Sequence, residues 1–317
     1  MPPSLAQPLI FEPIFLERVW GGRRLESVFG KQLPPGKRVG ESWEIVDRPE
    51  AQSIVRQGAR KGRTLHQLWC EEREEIFGCA LPDTPRFPIL AKLLDASEKL
   101  SLQVHPPESV AESLGGEPKS ELWYFAASAE EAEIFAGLRP AVERDAFVRA
   151  IENGSAADLV HRISVKTGDS FFVPSGRLHA IGAGNLVIEI QQNSDTTYRV
   201  YDWERKDESG RPRALHLTES LQSIRFDDCE PQCLSGRGEQ LIDGPHFVVE
   251  KWELNGPRRM LDRAAFAIFV CVSGTVETGD VRFRPGDFWL MPASAGEAIV
   301  RSLAPATTLL RVTLPAR

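Results

Sequence analysis

Apolar and polar residues alternate with a period of two through much of this chain, in short runs closed by Gly and Pro. "SWEIVD", "AQSIVRQG", "LWYFAAS", "AEIFAGL", "HRISVKTGD", "SFFVPSG", "NLVIEIQQ" and "TYRVYDW" all follow this pattern. Many short strands separated by turn residues predict a mainly β fold, a sandwich or barrel. Helical periodicity is rarer. "TLHQLWCEEREEIFG" opens on Thr64 as a cap and closes at Gly78. "PAVERDAFVRAIENG" places Pro140 in a first turn and Gly154 just past the end, as helix start and stop chemistry prefers. "SAADLVHRI" and "LTESLQSIRF" add short helices.

Residues 204–245 break the pattern: they are polar, contain Gly and Pro and show weak periodicity, which predicts a connector with a short helix. Strand-like runs resume after it in "HFVVEKWEL", "FAIFVCVSGTVETG" and "TLLRVTL". The expected organisation is thus a first β unit over 1–203, the connector over 204–245, and a second β unit over 246–317. The two units echo each other. "KTGDSFFVPSGRLHA" and "FRPGDFWLMPASAGEA" share Gly-Asp, an apolar run, Pro and a small-residue turn, but only the first goes on to a histidine, His179. One copy is expected to work and the other to be structural.

The 317 residues are enough to bury a sizeable core, and 42% hydrophobic with 26% charged residues is ordinary for a globular chain. A net charge of -7 without basic blocks disfavours nucleic acid and anionic membranes as partners. It leaves room for an anionic small molecule in a locally cationic pocket. The five cysteines are scattered, with no C-x-x-C pair, so neither a disulfide framework nor a cysteine zinc site is expected. The N-terminal stretch has no basic segment before an apolar core, and no apolar run reaches membrane-spanning length, so a cytoplasmic location is expected.

The candidate chemistry gathers in "SLQVHPPESVAESLGGEPKSELWYF". Gln103 and His105 stand two apart in a strand-like run and so share a face. Glu121 is expected from a neighbouring strand, and His179 from the turn "PSGRLHA". Imidazole and carboxylate ligands on rigid strand positions suit a divalent metal that keeps positions open for substrate. His66, His161, His216 and His246 lack an acidic partner in the local sequence and read as ordinary surface or core histidines.

"GDSFFVPSGRLH" satisfies G-x5-P-x-G-x2-H, the second cupin motif, at each defined position. The Asn usual four residues past the His is replaced by Ala183, with Asn185 two further on. The first cupin motif normally reads H-x-H; here it is Gln103-Val-His105. The series "QVHP", "KSELWY", "GRLHA" and "IEIQQNSDTTYRVYDW", with "FEPIFLERVWGGRRL" and "GESWEIVDRPE" upstream, resembles the type I phosphomannose isomerases in their short bacterial form, over essentially the whole chain. The resemblance implies two cupin-like jelly-roll units, the C-terminal one without ligands, and one Zn2+ per chain held by Gln103, His105, Glu121 and His179. It further implies Arg199, Glu189 and Lys119 as catalytic residues. Ser101, Lys119, Arg199 and a basic residue of "ERK", Arg205 or Lys206, are implied to contact a sugar phosphate.

The chemistry so implied is interconversion of mannose 6-phosphate and fructose 6-phosphate by proton transfer between C1 and C2. Glu189 and Arg199 are ten apart, so a hairpin at "QQNSDTT" would turn both toward one cavity. Another metal-cupin isomerase, a dioxygenase or a non-catalytic sugar-binding cupin are the competing readings. Gln103 in a histidine position argues against the dioxygenase, and retention of every ligand type argues against decay to a binding protein.

Overall fold

The computed structural model describes residues 7–206, 210–233, 238–261 and 265–316; parts of the expected connector, 207–209 and 234–237, lie outside them. In chain order the first unit contains β1 (Ile14–Gly22), β2 (Val39–Ile45), β3 (Asp47–Arg48), β4 (Ala51–Gln52), β5 (Ile89–Ala96), β6 (Leu102–Val104) and β7 (Glu121–Ser128). It continues with β8 (Glu133–Leu138), β9 (Val160–Ser164), β10 (Ser170–Val173), β11 (His179–Ile181), β12 (Asn185–Gln192) and β13 (Tyr198–Tyr201). These form a six-stranded sheet, β1-β2-β5-β12-β7-β10, facing a five-stranded sheet, β13-β6-β11-β8-β9, with β3 and β4 as a separate small ribbon. All pairings are antiparallel, giving a jelly-roll sandwich.

Alternation explains how one sheet serves two cores. In β12, Leu186, Ile188 and Ile190 point to one side, where they pack with Leu122 and Tyr124 of β7 and with Phe247, Val249, Ile268 and Leu310 of the C-terminal unit. Val187 points to the other side, into a cluster with Trp123, Phe125, Phe171 and Ile181 between the two sheets of the first unit. The remaining positions on that side, Asn185, Glu189 and Gln191, are polar and buried. The six-stranded sheet is therefore covered on both faces, which a sheet of a two-layer sandwich usually is not.

The C-terminal unit repeats the plan with a five-stranded and a four-stranded sheet. The sequence echo is a structural one. Gly168 (φ 92°) donates to Phe125 O at 2.9 Å, Phe125 N–H donates to Asp169 O at 3.0 Å, and the Asp169 carboxylate accepts from Lys166 N–H at 3.0 Å. Gly286 (φ 86°), Cys271, Asp287 and Arg284 reproduce that turn bond for bond. The copies then diverge: the first runs into β11, the second into a short 3-10 turn, Ala293–Ala295. Among the described residues, the C-terminal unit holds no group of His, Cys, Asp and Glu close enough to share a metal.

Some local expectations shift. The "TLHQLWCEEREEIFG" segment is two helices, Leu65–Glu71 and Arg73–Phe77, broken at Glu72; Thr64 caps the first in a capping box with Gln67. The helix expected from Pro140 starts later, at Arg144, because Ala141 takes a left-handed turn conformation (φ 63°). From the expected connector, helix Leu217–Ser223 lies against β13 and strand Gln240–Asp243 joins the C-terminal five-stranded sheet. Among the described residues no helix is long and apolar enough to cross a membrane.

Candidate active site

Four side chains converge between the sheets of the first unit. Gln103 on β6 pairs in register with His179, the first residue of β11, and Gln103 Nε2 is 3.3 Å from His179 Nε2. His105 lies just past the end of β6, its ring centroid 4.7 Å from that of His179. Gly176 of the cupin-type motif sets this spacing: its N–H donates to His105 O at 2.8 Å. Its φ of 88° suits only glycine, and an added Cβ would sit 2.9 Å from the Arg225 side chain. Glu121 arrives from β7, in the opposite sheet, rather than from a strand beside Gln103. Its Oε2 is 3.5 Å from His105 Nε2, and its Oε1 is 3.5 Å from His179 Nε2.

Hydrogen bonding fixes the tautomers. His105 Nδ1 donates to Thr196 O and His179 Nδ1 donates to Arg177 O, both at 2.8 Å. Each Nε2 therefore presents a lone pair. Burial, reinforced by Lys119, pushes His105 down to about 4, and burial lowers His179 as well. Burial opposes charge on Glu121, but Lys119 outweighs it and holds the carboxyl well below the usual carboxylate range. His105 Nε2 and both Glu121 oxygens are buried without an aligned hydrogen-bond donor. Two lone-pair nitrogens and a carboxylate, fully buried and facing one another, are mutually repulsive unless a cation lies among them. Gln103 completes the set, since a half-turn of its amide presents Oε1 in place of Nε2. The donor set fits a divalent cation, and backbone carbonyls hold the outer nitrogen of each histidine as such sites require.

Beside this cluster lies a cavity of about 330 Å³ lined by Ser101, Gln103, Lys119, Glu189 and Arg199, and also by Arg18, Glu41, Lys92, Asp195 and Arg213. A larger cleft of about 460 Å³, lined by Arg86, Phe87 and several prolines, holds none of the converging residues. The smaller cavity is the candidate site, because the converging residues line or adjoin it. A buried ladder of alternating charge crosses the sheet along its wall. Arg18 Nε donates to Glu41 at 2.6 Å, Lys92 Nζ is 3.6 Å from Glu41 and 3.1 Å from Glu189, and Lys119 Nζ is 4.0 Å from Glu189 and 2.9 Å from Glu121. Burial opposes charge at Glu41, but Lys92 and Arg18 outweigh it and hold the carboxyl at about 2. Burial likewise opposes charge at Lys92, yet Glu189 and Glu41 raise it above the ordinary lysine range.

The family model of the phosphomannose isomerase type I catalytic domain matches residues 9–141. The mannose-6-phosphate isomerase ManA of Bacillus subtilis is 39% identical over 305 residues, 92% of this chain and 95% of that protein. The mannose-6-phosphate isomerase of Streptococcus mutans is 38% identical over 299 residues, 91% of this chain and 93% of that one. A crystal structure of a mannose 6-phosphate isomerase from Bacillus subtilis superposes with a TM-score of 0.85 at 35% identity, covering 97% of this chain and 99% of that one. The chain belongs to the type I phosphomannose isomerase family.

In this member of the family, the geometry brings Gln103, His105, Glu121, His179, Lys119, Glu189, Arg199 and Ser101 to one place. Glu189 and Arg199 do share a cavity, but not through a hairpin: β12 belongs to the six-stranded sheet and β13 pairs with β6 in the other, so the chain between them crosses the sandwich. Arg205 does not line the cavity. Its guanidinium bonds Asp202 and Lys99 O, and Arg213 stands at the cavity instead, itself held by Asp202. Arg18, Glu41 and Asp195 fall within stretches that carry the family resemblance, but nothing local marks them as lining a cavity, and Lys92 lies outside those stretches altogether. One signal could have found Lys92 and Glu41: both stand, with Asp95 and Glu44, inside "ILAKLLDA" and "VGESWEI", strand-like runs that charged residues would not be expected to share.

Proposed function

We propose that this cavity interconverts mannose 6-phosphate and fructose 6-phosphate, with one zinc ion held by Gln103, His105, Glu121 and His179. The observation that carries the reading is the buried trio of lone-pair and carboxylate donors opening onto a cavity with a carboxylate, Glu189, set between two lysines. When bound, the ion supplies fixed positive charge and Lewis acidity toward sugar oxygens.

The protein's own groups divide the remaining work. Five cationic side chains (Arg18, Lys92, Lys119, Arg199, Arg213) line the cavity against three carboxylates (Glu41, Glu189, Asp195), so a sugar phosphate meets a local excess of positive charge on a chain that is negative overall. Glu189 is the base that moves the proton between C2 and C1. Its Oε2 accepts from Trp123 Nε1 at 3.0 Å, which orients the carboxylate. Its Oε1 lies off the hydrogen-bond axis of Lys92 and has no aligned donor, so a lone pair is free for the proton. Lys119 exchanges a proton with the neighbouring sugar oxygens. Arg199 donates Nη1 to Ala214 O and leaves Nε buried without a partner; burial and the nearby Arg213 disfavour its charge. Such a guanidinium gains most by meeting the anionic substrate. Ser101 and Arg213 serve the phosphate end.

The test is fructose 6-phosphate formation from mannose 6-phosphate by wild type and Arg199→Ala, before and after chelation and zinc return. Activity that vanishes with chelator, returns with zinc and collapses in the variant supports the reading. Full turnover after verified metal removal overturns the metal role, and no turnover by zinc-loaded protein overturns the reaction.

A further inference from the structure

A second cluster of reactive side chains lies outside this cavity, on helix Leu65–Glu71. His66 and Cys70 are one helical turn apart and share a face. Cys70 Sγ is 3.7 Å from His66 Nε2, and His66 Nδ1 is 3.1 Å from Asp47 Oδ2. The acidic partner absent from the local sequence of His66 comes from β3.

Asp47 is completely buried, and every bond it makes is as an acceptor. Oδ1 takes Gln52 Nε2 at 3.0 Å and Arg86 Nη1 at 2.9 Å, and Oδ2 takes Phe87 N–H at 2.9 Å along with His66. A carboxylate surrounded in this way demands a proton on His66 Nδ1, which leaves the Nε2 lone pair facing the thiol. The order nucleophile, base and orienting acid is the arrangement that activates a cysteine. Cys70 is exposed, so the sulfur is reachable. Nothing in the isomerase chemistry uses it.

We propose that Cys70 is an activated thiol that undergoes reversible mixed-disulfide formation with low-molecular-weight disulfides. The thiol proton passes to His66 Nε2. The Cys70 thiolate attacks one sulfur of the small disulfide, forming a new S–S bond as the old one breaks. The departing thiolate then takes up a proton from the imidazolium. The incoming disulfide is the oxidant, and it leaves one half as free thiol.

Cys79 and Cys229 are also exposed and serve as internal references. Cys229 Sγ faces the carbonyl oxygens of Arg139 and Phe226 at 3.8 and 3.9 Å rather than an imidazole. The full chain would be treated with 2-hydroxyethyl disulfide, and the modified fraction at each cysteine followed by peptide mass spectrometry. Cys70 is expected to react roughly ten-fold faster than either reference. His66→Asn keeps an amide N–H for Asp47 and removes Nε2, so it should bring Cys70 down to the reference rate, with Cys79, Cys229 and isomerase turnover unchanged. A Cys70 no faster than the other two, or one whose rate survives His66→Asn, would overturn the proposal.

Discussion

Lys92 and Glu189 are directly paired residues of β5 and β12, and their charges meet at 3.1 Å in a wall that excludes solvent. Trp43 pairs with Lys92 on one side and Trp123 pairs with Glu189 on the other, so the register itself writes Trp-Lys-Glu-Trp across four strands. Removing one member of a buried pair strands its partner's charge, which typically costs about 3–5 kcal/mol, whereas replacing both by apolar groups is often neutral. Lys92→Ala is therefore expected to lose both turnover and stability. Lys92→Met with Glu189→Leu should regain most of the stability and none of the turnover. Urea unfolding alongside steady-state kinetics checks this; a double variant as unstable as the single would refute it.

Trp123→Phe isolates the orienting bond to Glu189. The ring stays apolar and nearly fills the space, but the donor to Oε2 is gone. A hydrogen bond to a charged group contributes about 1.5–3 kcal/mol, so kcat should fall roughly 10- to 100-fold with little change in zinc content. Unchanged kcat would remove Trp123 from the machinery.

Acid should unfold the metal-free protein earlier than its carboxylates alone predict. An unfolded chain protonates His105 near its ordinary 6.5, the folded chain only near 4. Across that window the unfolded state binds more protons, so stability present at neutral pH is lost as pH falls from 6.5 toward 4, on the order of 3 kcal/mol. Glu41, held at about 2, adds loss in the same direction below its ordinary 4.5. Unfolding free energies measured at intervals from pH 7 to pH 4 should slope downward, and His105→Gln should flatten that slope. An equal slope in the variant would place the effect elsewhere.

Arg213 reaches the cavity while Asp202 holds its guanidinium from behind. A residue that binds the phosphate end acts on ground and transition states alike, so its loss should raise KM more than it lowers kcat. Arg213→Ala is expected to raise KM about ten-fold, the effect shrinking with added salt. A variant that loses kcat at constant KM would assign Arg213 to the chemical step instead.

The sequence carried the parts of this fold that obey local rules. Thr64 with Gln67 announces a helix start, Gly168 and Gly286 announce the repeated turn, and the even spacing of Gln103 and His105 does bring both to His179. What it hid depends on pairing between distant strands. Nothing local says that Glu121 crosses from the other sheet, or that β12 and β13 separate after Gln192. The helix expected at Pro140 failed for a similar reason: Ala141 turns the chain before the helix can begin. Arg205 and Arg213 compete for Asp202, and only the fold decides which one also faces the substrate cavity. Asn185 illustrates a displaced motif residue. Two places later than usual, it still bonds Ser128 Oγ and Gly182 O, so it pins the loop after His179.

Because β7 and β12 present alternate residues to opposite cores, the catalytic half of this enzyme has no outside on that face. A chain ended at residue 203 would lay bare Leu122, Tyr124, Leu186, Ile188 and Ile190 as a continuous oily strip, and should sediment as aggregates rather than as a small working enzyme. The C-terminal unit, which has no histidine at the matching turn, thus backs the sheet that carries Glu121 and Glu189. Damage deep in that backing, at Ile268 or Leu310, should be read out at Glu189, which lies between Ile188 and Ile190 on the other face of β12, as an enzyme that still binds its substrate and turns it over badly.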